Sequence, residues 1–248
     1  MPALIFCGPS VSAGEILEDI PDAQLRGPAA VGDVYRAMRD APAAIGIIDG
    51  VFDQQLAVRH KEILWALAHG VRIYGAASMG ALRAAELAAF GMTGVGQIYQ
   101  WYASGELEDD DEVTVVHEGA ERGYRMHSDA MVNIRATLSA AVDRGVLTQH
   151  GAAALITRLK GEHYTERRYE LVARVGAEVL PDAELAPTLR WLRDRSNRID
   201  QKRLDARALA ARMRQDRDLL AQPCFEFEYT EAWHALRCSL DAELDETR

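Results

Sequence analysis

Three short apolar runs set the rhythm of the first half of the chain: ALIFCGPS from Ala3, AAIGIIDG from Ala43 and VRIYGAAS from Val71. Runs of this length, closed by turn residues, predict buried strands. Between them, apolar positions recur at helical spacing in VGDVYRAMRD (31–40) and in DQQLAVRHKEILWALAHG (53–70), the second closing on Gly70 as a C-cap. Apolar strands alternating with helices predict a parallel sheet covered on both faces, a three-layer, Rossmann-like α/β core. In such sheets chemistry gathers at the carboxyl ends of the strands. Ser10, Asp49 and Ser78 fall there.

Past Phe90 the pattern changes. GMTGVG reads as turn, QIYQWYASG as a short amphipathic helix, and ELEDDDEVTVVHEG as an acidic loop entering a strand at Val113 to Val116. Ser128 can cap a following helix whose apolar residues Met131, Ile134, Leu138 and Val142 recur at helical spacing up to Gly145. Later segments are helical, punctuated by Pro181 and Pro187. The expected organisation is an α/β core over residues 1–145 and a mostly α-helical C-terminal region over 146–248.

Composition narrows the function. With 248 residues, 48% of them hydrophobic, the chain can bury a sizeable core. No run approaches the roughly 18 apolar residues of a membrane span, and MPALIFCG has no basic lead into a long apolar stretch, so a cytoplasmic protein is expected. Three cysteines without a CxxC pair suit a reducing compartment and argue against a thiolate zinc site. A net charge of -10 opposes binding to nucleic acid. Yet Arg190 to Arg217 holds ten Lys/Arg against four Asp. Arg198, Lys202, Arg203 and Arg207 on that face are candidates to dock an acidic partner; a solvated helix face is the plainer reading. Neither a G-x-G-x-x-G fingerprint nor a Walker A lysine motif occurs, so no nucleotide cofactor is expected.

The sharpest chemical signal is AASMG, residues 76–80, between a strand and an alanine-rich helix. An A-x-S-x-G turn is a variant of the nucleophile elbow, in which small neighbours admit a strained turn bearing the serine. The Met79 N–H would face an oxyanion beside Ser78, with Gly8 and Ser10 opposite. A serine N-cap beside close helix-to-sheet packing is the alternative. A serine nucleophile needs a base. His60, sharing a helical face with Leu56, Ile63, Leu64 and Leu67, could serve with Asp49 as orienter; Lys61 could serve instead, with Glu62 nearby. Arg83 could receive an anion or pair with Glu86 three residues on. Asp109 to Glu112 with His117 could suggest carboxylate and imidazole ligands, but their spacing is not that of a metal site, and none is expected. His117 could also enter the site as base, and Asn133 and Arg135 could line the pocket.

Taken in order, GPS, GIIDGVF, HKEILWAL, GAASMGALRAAEL, FGMTGVG, DDDEV with His117, and GYRMHSDAMVNIRATL resemble the core of the TfuA-like family, first associated with trifolitoxin maturation. The resemblance covers roughly residues 3 to 140. Arg59 stands where the family carries a tryptophan before HKEIL. What the resemblance implies is a role beside a YcaO-type, ATP-using enzyme that forms thioamides in the backbone of a ribosomally made precursor peptide or a protein. On that footing, a serine-type hydrolase would release sulfide from a thiocarboxylated, ThiS-like sulfur carrier protein. The alternative is a non-catalytic protein that docks on the YcaO enzyme and orders its active site.

Overall fold

The computed structural model describes residues 3–52, 55–221 and 223–246. In chain order the elements are β1 (Ala3–Phe6), α1 (Ala13–Asp19), β2 (Gln24–Arg26), α2 (Asp33–Ala37), β3 (Ala44–Ile47), α3 (His60–Ala68), β4 (Arg72–Gly75), α4 (Met79–Leu87), β5 (Thr93–Gly94), α5 (Gln97–Ala103), α6 (Met131–Asp143), α7 (Gln149–Lys160), α8 (Leu171–Val179), α9 (Asp182–Arg193), α10 (Gln201–Gln215) and α11 (Glu231–Glu246). The chain forms two compact units. One joins the residues up to Glu106 to those from Asp205 onward, and the other is Leu107–Leu204. The division differs from the expected boundary at 145/146.

The first unit is the α/β core. Its five strands are all parallel, in the order β2-β1-β3-β4-β5. That order reverses direction between β1 and β3, the crevice where doubly wound sheets bind ligands. Side chains leave a strand to alternate faces. On one face Leu4, Phe6, Ile45, Ile47 and Ile73 pack with Val34, Ile63, Leu67, Ala84 and Leu87 of α2 to α4. On the other, Ile5, Ile48 and Tyr74 pack with Ile16 of α1 and Ala206, Leu209, Ala210 and Met213 of α10. Helix α10, expected in a separate C-terminal region, is therefore a layer of the core. Gly46 makes room for it: a Cβ there would sit 2.8 Å from the Met213 sulfur and 3.0 Å from a Leu209 methyl. Burying those two side chains contributes about 2–3 kcal/mol each.

Several expectations need correction. Helix α3 starts at His60, not near residue 53; Arg59 is extended (φ -90°, ψ 149°), and Glu62 reaches back to its N–H at 2.8 Å. Asp53 and Gln54 lie outside the described residues. Val113 to Val116 is not a strand. A 3-10 turn at Asp110–Glu112 precedes it, the Thr114 hydroxyl donates to the Asp110 carbonyl, and the Val113 carbonyl accepts from Lys202. Ser128 does not cap α6, whose N-cap is Ala130; the Ser128 hydroxyl accepts the Val116 N–H at 2.8 Å instead.

In the second unit, α6 to α9 enclose a core of Ile134, Leu138, Leu155, Leu159, Val172, Val175 and Leu192. Among the described residues, no helix is long and apolar enough to cross a membrane.

Candidate active site

The carboxyl ends of β1, β3 and β4 are tied together by hydrogen bonds. Asp49, 1% exposed just past β3, takes the Gly8 N–H at 2.9 Å and the Ser10 N–H at 3.1 Å on one carboxylate oxygen, and the Ser10 hydroxyl at 2.6 Å on the other. Its own backbone is fixed by Ala29, whose N–H donates to the Asp49 carbonyl. The aspartate thus shapes the turn after β1 rather than orienting a histidine. The Gly8 N–H is committed to it and does not serve as the second oxyanion donor. Burial, then the Asp49 charge, pushes the neighbouring Cys7 thiol up to about 11, leaving it a protonated core side chain.

Beyond β4 the chain turns sharply. The Ser78 N–H donates to the Ala76 carbonyl at 2.7 Å across Ala77, whose φ is +65°. A γ-turn with a positive central φ is rare and strained, and a non-glycine residue in that region costs about 1–2 kcal/mol. The turn is held by Ala76 N–H to Ile47 carbonyl (3.2 Å) and Gly80 N–H to Ile48 carbonyl (3.3 Å). Small residues are obligatory here. A Cβ on Gly80 would lie 1.7 Å from the Ile47 carbonyl oxygen, and one on Gly75 would lie 2.1 Å from that of Gly80. Met79 itself packs where a Gly50 side chain would go.

Ser78 occupies the N-cap of α4, 2% exposed, yet its side chain makes no capping bond. Among the described residues, its hydroxyl has no hydrogen-bond partner, and neither has the Met79 N–H. An N-cap serine ordinarily accepts from the second or third helical N–H. This one has the position of a cap without the bond.

The expected relay is not assembled around it. His60, at the first turn of α3 and exposed, bonds Glu86 at 2.7 Å, and Glu86 also takes Arg83 at 2.6 Å while the Arg83 Nε donates to the Val58 carbonyl. Glu86 lies eight residues along from Ser78, about 12 Å at the helical rise. Arg83 is thus engaged in a structural ion pair. Lys61 donates to the Glu228 carbonyl at 2.8 Å and stands over the Phe227 ring. Glu62 is fully buried and accepts four backbone N–H groups: Arg59 (2.8 Å), Gly32 (3.0 Å), Val34 (3.0 Å) and Tyr35 (3.4 Å). It caps the start of α2 as well as its own helix, a role the sequence does not reveal.

His117, Asn133 and Arg135 belong to the second unit. His117 bonds the Glu118 carbonyl and faces Tyr124. Asn133 receives the Lys202 N–H (3.1 Å) and donates to Asp200 (2.9 Å). Arg135 grips the buried Glu112 with two bonds, 2.9 and 2.8 Å. The acidic stretch is exposed at Glu108, Asp109 and Asp110, but its far end, Asp111 and Glu112, is tied into ion pairs. Lys160 approaches Asp109 (3.1 Å), Asp111 and Glu112 (3.4 Å), while the buried Arg167 binds Asp111 through its carboxylate (2.5 Å) and carbonyl (2.8 Å). Among the described residues, no cluster of His, Cys, Asp and Glu could hold a metal ion.

The basic face is also partly consumed. Lys202 is 2% exposed, with its ammonium on the Val113 carbonyl at 2.7 Å. Arg198 stacks on Tyr169, 4.4 Å from the ring centre, and donates to the Leu192 carbonyl. Arg203 is exposed, and Arg207 stands 3.5 Å from Glu18. The cationic groups of Lys202 and Arg198 are thus engaged within the protein, and of the two only Arg198 is partly exposed.

A cavity of about 260 Å³ opens at the other end of the sheet, among Ala3, Ala44, Arg72, Arg214, Arg217 and Asp19. Its walls hold no serine, cysteine or histidine among the described residues, so the nucleophile candidate remains at the carboxyl ends. Residues 49–168 match a family model described as TfuA-like protein. The match spans Asp49, the α3 start, the Ser78 turn and the acidic stretch, and leaves Gly8 and Ser10 outside. No curated protein matches the chain.

Proposed function

We propose that this TfuA-like protein, a partner of a YcaO-type enzyme in backbone thioamide formation, is the serine hydrolase that liberates sulfide from a thiocarboxylated, ThiS-like carrier protein. The observation that carries the reading is Ser78: the hydroxyl of a largely buried residue, on a strained turn and at a helix N-cap, that caps nothing. Ser78 Oγ attacks the thiocarboxylate carbon, a C–O bond forms, and the C–S bond breaks. Sulfide leaves with the hydroxyl proton, so the leaving group itself serves as proton acceptor. Water then hydrolyses the ester, giving the carrier carboxylate and restoring Ser78. The Met79 N–H at the start of α4 would stabilise the oxyanion. Because the sulfur leaves as hydrosulfide carrying the serine proton, the demand for a histidine at the serine is lessened, which fits the engagement of His60 with Glu86.

The test follows sulfide and carrier mass after mixing the protein with thiocarboxylated carrier. Wild type releases sulfide and leaves carrier carboxylate, and Ser78→Ala lowers the rate by at least about a thousandfold. Undiminished release by Ser78→Ala overturns the assignment. A second reading, a non-catalytic partner that docks on the YcaO enzyme and orders its site, is favoured by the lack of a base bonded to Ser78 among the described residues. It predicts that Ser78→Ala still supports thioamide formation on the precursor peptide, whereas Arg203→Glu with Arg207→Glu abolishes it.

A further inference from the structure

A serine carried on a strand-to-helix turn needs two N–H groups to hold the oxyanion, one from the residue after the serine and one from the loop that follows a neighbouring strand. Met79 supplies the first, and Gly8, bound to Asp49, is not the second. On the crevice side the neighbour of β4 is β3, and the loop after it runs through Asp49, Gly50 and Val51.

Backbone bonds fix which way these three residues point. The Asp49 carbonyl accepts the Ala29 N–H at 2.9 Å, and the Val51 N–H donates to the Ala29 carbonyl at 3.0 Å, the pattern of a parallel bridge between Gly50 and Ala29. Successive residues of an extended chain turn their N–H and C=O groups to opposite edges, so those of Gly50 point away from Ala29. That edge faces the Ser78 turn: two residues back, the Ile48 carbonyl accepts the Gly80 N–H at 3.3 Å. The Gly50 N–H has no acceptor among the described residues.

Gly50 also touches the residue that bears the first donor. A Cβ on it would lie 2.6 Å from the Met79 Cγ and 2.7 Å from the Met79 Cβ. Its backbone is not left-handed, so glycine serves close approach here rather than a turn. Ser78 is 2% exposed, and what is exposed of it includes the hydroxyl oxygen.

We infer that the Gly50 N–H is the second oxyanion donor, which makes Gly50 a catalytic residue of the hydrolysis proposed above; the inference rests on that reading. As Ser78 Oγ bonds the thiocarboxylate carbon, the C=O electron pair moves onto oxygen, between the N–H groups of Gly50 and Met79. It returns as the C–S bond breaks and hydrosulfide leaves with the serine proton. Both donors are set before the reaction, Gly50 by its neighbours' bonds to Ala29 and Met79 by the start of α4.

The experiment has two readouts on the full chain. Asp-Gly and Ser-Met each occur once in the sequence, so carbonyl-labelled aspartate with nitrogen-labelled glycine, or carbonyl-labelled serine with nitrogen-labelled methionine, isolates the amide signal of Gly50 or Met79. A small fluorophosphonate bonded to Ser78 Oγ, checked by mass, puts a tetrahedral P–O group in place of the oxyanion. Both signals should then move downfield, and neither should in Ser78→Ala. Installing glycolic acid at position 50 replaces the N–H by an ester oxygen. It should lower kcat for sulfide release by about a hundredfold to a thousandfold with KM within about twofold. Should that variant not fold, the signals of the unmodified chain carry the test. A Gly50 signal that stays while that of Met79 moves, or wild-type kcat in the folded glycolate variant, overturns the Gly50 assignment and leaves the hydrolase reading standing. No adduct on Ser78, or sulfide release by Ser78→Ala at the wild-type rate, removes the hydrolase reading and this inference with it.

Discussion

The two units handle buried carboxylates in opposite ways. In the α/β unit, Asp49 and Glu62 are satisfied mainly by backbone: Gly8 and Ser10 for the first, Arg59, Gly32, Val34 and Tyr35 for the second. In the helical unit, the buried Glu112 and its half-exposed neighbour Asp111 are satisfied mainly by the side chains of Arg135, Lys160 and Arg167. Both solutions meet the demand that a buried charge be paired. They differ in what mutation can do. A side-chain partner can be exchanged together with its carboxylate for apolar groups, whereas a backbone N–H remains whatever the sequence becomes. The first arrangement locks loops into a unique shape, and the second locks α6 and α7 to one loop.

The largest effect is expected at Glu62. Glu62→Ala strips the acceptor from four N–H groups in a fully buried site, which should cost about 3–5 kcal/mol in urea or thermal unfolding. No second substitution should restore it, since the donors are backbone. Arg135→Ala should cost less, about 2–3 kcal/mol, because Lys160 still stands 3.4 Å from Glu112. Here a partner change should help: Arg135→Met with Glu112→Leu should recover most of the loss. If the double variant is no better than Arg135→Ala, or if a second-site change rescues Glu62→Ala, the contrast between the units fails.

How far the sequence reveals these features follows from the same contrast. The apolar runs at Ala3, Ala44 and Arg72 announce β1, β3 and β4, since a strand buried on both faces is written in consecutive residues. The edge strand β2, QLR, is half polar and gives no such signal. Met131 to Val142 announces α6 through its spacing. The apolar stripe of α10 is masked: Ala206, Leu209, Ala210 and Met213 sit among six arginine and lysine residues from Lys202 to Arg217, so the basic face is legible and the buried one is not. At the site, the Ser78 turn is legible because steric demand at Gly75 and Gly80 restricts the residues themselves. The bond from His60 to Glu86 and the cap by Glu62 join residues distant in sequence or side chain to backbone, and no local pattern encodes either.

The pH dependence of stability sharpens the contrast with smaller effects. Burial raises the Glu62 carboxyl above its ordinary value of 4.5, against the pull of its four N–H donors. A carboxyl raised by folding binds its proton more tightly in the native state, so it favours folding most below 4.5 and loses that contribution as pH rises through the folded value. Glu62→Gln should therefore flatten the fall in stability that the wild type shows as pH rises from 4.5 through the folded value. An unchanged slope would mean that the backbone donors fully offset burial.

Glu86 provides the opposite sign and the smallest effect. Burial opposes its ionisation, but the hydrogen bonds from His60 and Arg83 outweigh this and hold the carboxyl below its ordinary value. Its contribution is present above the unfolded value and disappears as pH falls through the folded one. Because its side chain is 37% exposed, solvent screens the pair, and Glu86→Gln should cost no more than about 0.5 kcal/mol near neutral pH. Wild type and variant should converge on acidification, and added salt should narrow the gap at neutral pH, since an exposed pair is screened where the buried Glu112 pair is not. A salt-independent difference at Glu86 would mean that this cluster at the surface of the α/β unit behaves like the buried pairs of the helical one.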